Sequence, residues 1–181
     1  NPSELKLDYE DIQVKTSDGF KISGWYIAGL PEKPGVLMVH GRGATRREAL
    51  RYVPSLHKKG FNLLLIDLRN CGTSDKSFVS MGFHERKDIH AGVAYLLEQK
   101  KVPSVGIYGF SMGASTSIMA MAENKRIQAG IFESGFSDFQ TVIRQVAKKD
   151  YGLPEYPLLP LVNFFFEIRG DLSTTDPTPL K

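Results

Sequence analysis

Four short apolar runs constrain the architecture more than any other feature: Val36-Leu37-Met38-Val39, Leu63-Leu64-Leu65-Ile66, Val105-Gly106-Ile107-Tyr108 and Ala129-Gly130-Ile131-Phe132. Each is continuous rather than alternating, the pattern of a strand buried on both faces. The first three are each followed by a helical stretch, and strands alternating with helices predict a parallel sheet with crossover helices. Ahead of them, Tyr9 to Lys15 and Phe20 to Ile27 are strand-like and joined by Thr16-Ser17-Asp18-Gly19. The Asp-Gly pair suits a hairpin turn, so the chain is expected to open antiparallel.

The helices between the runs have readable ends. Thr45 and Glu48 have capping-box spacing, and Gly60 follows Lys58-Lys59 where a C-terminal glycine belongs. Pro54 interrupts this segment and predicts a kink or a restart. Between His84 and Gln99, Ile89, Val93, Leu96 and Leu97 form one apolar face, as packing on a sheet requires. After Phe132 the alternation stops. An amphipathic piece, Phe139 to Lys149, is followed by Pro154, Pro157 and Pro160 and by the apolar run Leu161 to Phe166. Residues 1–133 therefore read as an α/β core, and residues 134–181 as cap helices and a lead-in to a further core segment.

With 181 residues, 41% apolar and 24% charged, one globular domain is the default. A net charge of +3 from 23 basic and 20 acidic residues makes no basic stripe, which argues against nucleic acid as a partner. No apolar run reaches the roughly 18–20 residues of a membrane span. Cys71 is alone, so no intrachain disulfide forms, and a reducing compartment such as the cytoplasm is favoured. The chain begins with Asn1, which leaves an upstream signal or anchor open. The histidines lack metal-ligand spacing, and neither a metal nor an organic cofactor is expected.

Chemistry concentrates at Gly109-Phe110-Ser111-Met112-Gly113, directly after one buried run and directly before the helical run Ala114 to Glu123. A serine on a sharp strand-to-helix turn exposes its hydroxyl, and glycines two residues to either side avoid collision with neighbouring strand and helix. The helix N-terminus aims free N–H groups at the reacting centre. Ser111 is thus the candidate nucleophile of an acyl transfer, with Gly109 and Gly113 as its flanking glycines.

The strand ending in His40-Gly41, the loop Asp67-Leu68-Arg69-Asn70-Cys71-Gly72-Thr73-Ser74 and this turn together resemble the α/β-hydrolase family, in particular its small bacterial esterase, thioesterase and acyl-peptidase-like members. The resemblance covers nearly the whole chain. It implies an α/β-hydrolase fold, mostly parallel with an N-terminal antiparallel hairpin and helices on both faces. It also implies an oxyanion hole formed by the backbone N–H groups of Arg42 and Met112. His40 is then expected to shape the loop, and Asp67 and Arg69 to form a structural ion pair. Asn70 stands where glycine is usual, tolerable because asparagine accepts left-handed backbone. Cys71 reads as a small packed residue.

In this family the triad acid and histidine follow the serine in the chain. Yet His40, His57, His84 and His90 all precede Ser111, and Asp176 to Leu180 resembles a lead-in to the next strand. The chain therefore reads as truncated, lacking its last strands, nearly inactive alone and prone to self-association through an exposed sheet edge. A second reading takes Glu133 or Asp138 as the acid, with a histidine supplied in trans. Leu158, Leu161, Val162, Phe164, Phe165 and Phe166 are candidates for an acyl pocket, or for simple packing of the cap. The expected substrate is a small ester or thioester, with peptide a close neighbour; a non-catalytic binding module is the competing class.

Overall fold

The computed structural model describes residues 1–152, 156, 158–173, 175 and 177–179. Pro154, Pro157, Asp176 and Leu180 lie outside the described residues, as does the side chain of Leu158. The chain opens with the expected hairpin, β1 (Glu10–Lys15) and β2 (Lys21–Ile27), paired antiparallel. Its turn closes through Thr16 N–H to the Phe20 carbonyl at 2.9 Å, with Gly19 at φ 93° supplying the left-handed residue.

Four further strands follow: β3 (Gly35–Val39), β4 (Asn62–Ile66), β5 (Val105–Phe110) and β6 (Ile127–Glu133). All six form one sheet in the order β1-β2-β4-β3-β5-β6, with β3, β4, β5 and β6 parallel and the hairpin antiparallel at one side. Successive residues of the central strands bury into opposite layers. Leu37, Val39, Leu64 and Ile66 enter one apolar cluster, and Met38, Leu63 and Leu65 enter the other. This is why the runs carry no polar alternation.

Helices cover the two faces unequally. On one side α2 (Arg86–Ala94) and α3 (Met112–Glu123) pack together and against β3, β5 and β6. Ile89, Val93 and Leu96 from the apolar face read in the sequence are fully buried there. The other side carries the 3-10 turn Arg46–Arg51, placed on β3 and β4, and α1 (Val53–Lys58), placed on β4. An open apolar groove of about 410 Å³ beside it runs over β5 and β6, lined by Leu56, Phe61, Val105, Ala129 and Ile131 among others. Pro54 falls in the first turn of α1, after a separate 3-10 turn over Arg46–Arg51, so the segment restarts there.

The loop after β4 departs from the ion pair expected of Asp67 and Arg69. The Arg69 guanidinium is divided between Asp18 of the hairpin turn, at 2.9 Å, and Asp88 of α2, at 2.7 Å. Asp88 also accepts the Arg69 backbone N–H at 2.8 Å, and the guanidinium lies 4.6 Å from the Phe20 ring centre. Asp67 instead accepts the Arg46 N–H at 2.7 Å and faces the Arg46 side chain at 3.6 Å. Arg69 is committed to carboxylates from two other elements, which leaves its sequence neighbour free to brace a different loop. Asn70 takes the left-handed conformation at φ 64°.

Beyond β6 come α4 (Phe139–Tyr151) and α5 (Leu158–Gly170). Asp138 Oδ1 accepts the Thr141 N–H at 2.7 Å and caps α4. Phe166 of α5 packs at a tilt against Phe139 and Phe78, tying this helix pair to the rest of the chain. At the far side of the sheet β6 is the edge strand, and its run Ala129 to Phe132, expected to be buried on both faces, is exposed instead, with Ile131 at 56% and Phe132 at 37%, because no strand among the described residues pairs with its outer side. Among the described residues no helix is long and apolar enough to cross a membrane.

Candidate active site

Ser111 follows β5 directly and occupies the N-cap position of α3, at φ 50° and ψ −119°. This region is costly for a residue with a Cβ and persists only where surrounding bonds impose it. Those bonds are present. The Ser111 N–H donates to the Glu133 carbonyl of β6 at 2.8 Å, and the Ser111 carbonyl accepts Ala114 N–H at 2.9 Å and Ser115 N–H at 3.2 Å. The residue itself is exposed.

The flanking glycines are required by backbone, not by side chains. A Cβ on Gly109 would lie 2.6 Å from the Gly113 carbonyl oxygen and 2.7 Å from Ala114 Cα. A Cβ on Gly113 would lie 2.4 Å from the carbonyl oxygens of both Val39 and His40. The start of α3 therefore rests directly on the end of β3. Gly113→Ala is expected to cost about 1–3 kcal/mol through forced backbone displacement, read as a lowered midpoint in urea denaturation.

The end of β3 carries the second half of the site. A Cβ on Gly41 would sit 3.1 Å from Ser111 Cβ, so the turn that begins at Gly41 stands against the serine. Arg42 follows in that turn, which closes through Ala44 N–H to the Gly41 carbonyl at 3.3 Å, with Gly43 at φ 73°. The Arg42 side chain is exposed. Met112 is the first residue of α3, where an N–H has no carbonyl one helical turn behind it to meet. The expected donors, Arg42 and Met112, thus stand on the two segments that converge at Ser111.

His40 is fully buried. Leu68 N–H donates to its Nε2 at 3.0 Å, so the ring proton sits on Nδ1, which donates to the Gly41 carbonyl at 2.7 Å. Burial pushes its pKa below the ordinary imidazole value, against the pull of the Gly41 bond and of Asp67 and Glu48. It is a neutral ring bracing the loop. The other histidines are engaged elsewhere: His57 with the Ala28 carbonyl, His84 with the Gly170 carbonyl at 2.7 Å, and His90 with Glu123 at 3.1 Å.

The two alternative acids are also occupied. Glu133 Oε2 accepts the hydroxyls of Tyr52 at 2.9 Å and Tyr108 at 3.2 Å, and Arg51 stands 3.7 Å from its other oxygen. Asp138 is the cap of α4. Of the pocket candidates, Leu161 and Phe165 line an open groove of about 330 Å³ with Phe78, Val162, Phe166 and Arg169. Phe164 stands apart from that groove and is 55% exposed. Burial raises the pKa of the Cys71 thiol, with Asp67 adding to it, so the thiol is poorly suited to attack. Among the described residues no cluster of His, Cys, Asp and Glu could hold a metal ion.

Comparison with known proteins bears on the fold. The esterase Pf2001 of Pyrococcus furiosus superposes with a TM-score of 0.75 at 32% identity, over 86% of this chain and 61% of the esterase. The protein YqkD of Bacillus subtilis is 27% identical over 170 residues, 92% of this chain and 56% of YqkD. Polyketide transferase ATR5 of Stachybotrys chlorohalonatus is 31% identical over 136 residues, 72% of this chain and 46% of that protein. The chain spans about half the length of the curated relatives it matches. A family model for the alpha/beta hydrolase fold matches residues 34–180, and with the sheet order and the strand-to-helix turn already in place, the chain belongs to the α/β-hydrolase family.

Proposed function

We propose that the chain carries the nucleophile and oxyanion donors of a serine hydrolase that cleaves carboxylic esters or thioesters through an acyl-enzyme on Ser111. The observation that carries this reading is the strained, exposed Ser111 at the N-terminus of α3, bonded through its own N–H to β6. In the proposed reaction Ser111 Oγ adds to the acyl carbon as its proton passes to a base. The oxygen of the tetrahedral intermediate accepts the N–H groups of Met112 and Arg42. Collapse expels the alcohol or thiol, which takes up that proton, and water then releases the acid by the same route. The base comes from outside the four histidines of this chain, because each is bonded elsewhere. The helices α4 and α5 act as a cap, with Leu161 and Phe165 offering apolar contact to an acyl chain. The similarity to an esterase and to a polyketide transferase supports acyl chemistry at this site.

That same engagement of the histidines favours a second reading, a hydrolase-like module that binds a partner without turnover. A fluorophosphonate probe and p-nitrophenyl esters of graded chain length, applied to this chain and to the complete open reading frame, separate the two. Labelling at Ser111 only in the longer protein is the expected result. Absence of labelling in both favours the binding module. Amide substrates in the same assay test peptidase activity.

We also propose that this chain, produced alone, self-associates along β6, whose outer edge and the adjoining groove expose Ile131. Gel filtration is expected to show a dimer or larger species at high concentration, and Ile131→Lys to shift it toward monomer. A clean monomer throughout would refute the association.

A further inference from the structure

Glu48 has the spacing of a capping-box residue but does something else. Thr45 makes no side-chain capping bond, and the Glu48 carboxylate passes over the start of its own 3-10 turn to accept the Gly41 N–H at 2.7 Å. A Cβ at Gly41 would lie 3.6 Å from Glu48 Oε2 and 3.1 Å from Ser111 Cβ, so the carboxylate reaches the backbone that touches the serine.

We infer that Glu48 is a positioning residue for the reaction proposed at Ser111, fixing through the Gly41 amide the turn that presents the Arg42 N–H to the oxyanion. This rests on the serine-hydrolase reading. The turn is held at both ends by other groups. His40 Nδ1–H holds the Gly41 carbonyl, and Asp67 holds the Arg46 N–H. Just ahead of that carbonyl, the Gly41 N–H meets the Glu48 side chain, and Gly41 is the residue immediately before the donor Arg42.

Two consequences follow for the chemistry. The Gly41 N–H is taken, which leaves the oxyanion to the Arg42 N–H and prevents a competing orientation of the loop. The bond is charge-assisted and short, and Glu48 is itself fixed by a turn whose Ala49 is buried in the apolar cluster beneath. Without the carboxylate, Gly41 N–H would be an unpaired donor beside the reacting centre, and the turn could rotate to satisfy it. A shift of about 1 Å in a donor costs up to about a hundredfold in rate.

The test uses the complete open reading frame, with kcat and KM on a p-nitrophenyl ester, fluorophosphonate labelling, and thermal midpoints for each variant. Glu48→Ala is expected to lower kcat about 10- to 100-fold with KM changed by less than about threefold, the signature of a lost transition-state interaction. Glu48→Gln keeps an acceptor at the same reach and is expected to recover most of that loss. Glu48→Asp keeps the charge but retracts it by one methylene, and is expected to lose about tenfold, which keeps the test decisive if the alanine variant does not fold. Wild-type labelling with undiminished kcat in Glu48→Ala, or in Glu48→Asp where the alanine variant does not fold, overturns the inference alone. Glu48→Gln falling as far as Glu48→Ala, with loss of the acidic limb of the pH–rate profile, also overturns it, since the carboxylate would then be acting as a base rather than as the acceptor that holds Gly41. A wild-type protein that neither labels nor turns over overturns the serine-hydrolase reading together with it.

Discussion

Ser111→Ala is expected to lower kcat by about 10⁶-fold and to abolish fluorophosphonate labelling, measured in the complete open reading frame with esters as substrate. The size follows from the route: without Oγ there is no acyl-enzyme, and only the oxyanion donors and substrate binding remain to assist direct attack by water. Ser111 is exposed and the α3 N-cap position makes no side-chain capping bond, so the substitution deletes no structural bond seen at this turn. Its thermal midpoint is therefore expected to stay close to the parent value. A variant that retains more than a small fraction of esterase activity would move the nucleophile elsewhere.

The largest effect on stability is expected at Asp88. Its side chain is fully buried, and it accepts from the backbone N–H, Nε and Nη2 of Arg69, whose side chain is 1% exposed. Burial pushes the Asp88 carboxyl up to about 6, with the guanidinium pulling the other way. Asp88→Ala leaves a buried guanidinium with Asp18 alone and is expected to cost about 3–5 kcal/mol, or on the order of 10 °C in the thermal midpoint. Removing both members, as Arg69→Met with Asp88→Leu, is expected to cost much less, because no unpaired charge is then left inside. Equal losses in the single and double variants would show that the packing, not the charge, is what matters there.

The parts of this architecture that could be read in the sequence are those set by local rules. Strands β3, β4 and β5 show as unbroken apolar runs, the hairpin as an Asp-Gly turn, and the Ser111 turn as two glycines, of which Gly113 is required by the Val39 and His40 carbonyls and Gly109 by the Gly113 carbonyl and Ala114 Cα. What stayed hidden depends on which distant groups meet. Arg69 was paired with its sequence neighbour, when its partners are a carboxylate from the hairpin turn and another from α2. Glu48 was read as a local cap because the spacing fits, and nothing in the sequence placed Gly41 within its reach. Helix α5 reads in the sequence as an apolar run after proline within a cap of helices. Its outer residues Leu161, Phe164, Phe165 and Ile168 recur at helical spacing but remain exposed, so hydrophobicity alone could not tell a pocket lining from a surface.

The sheet order also dictates when this protein can be completed during synthesis. Strand β3 lies between β4 and β5, so that Gly35 pairs with Asn62 on one side and Val105 on the other. At 5–20 residues per second, the interval between emergence of β3 and of β5 from the ribosome is roughly 4–14 s. The β1–β2 hairpin forms from neighbours within that time, whereas the central strand must wait with one ladder of amides and carbonyls unsatisfied. High contact order of this kind slows folding and lengthens the period in which a nascent chain depends on chaperones.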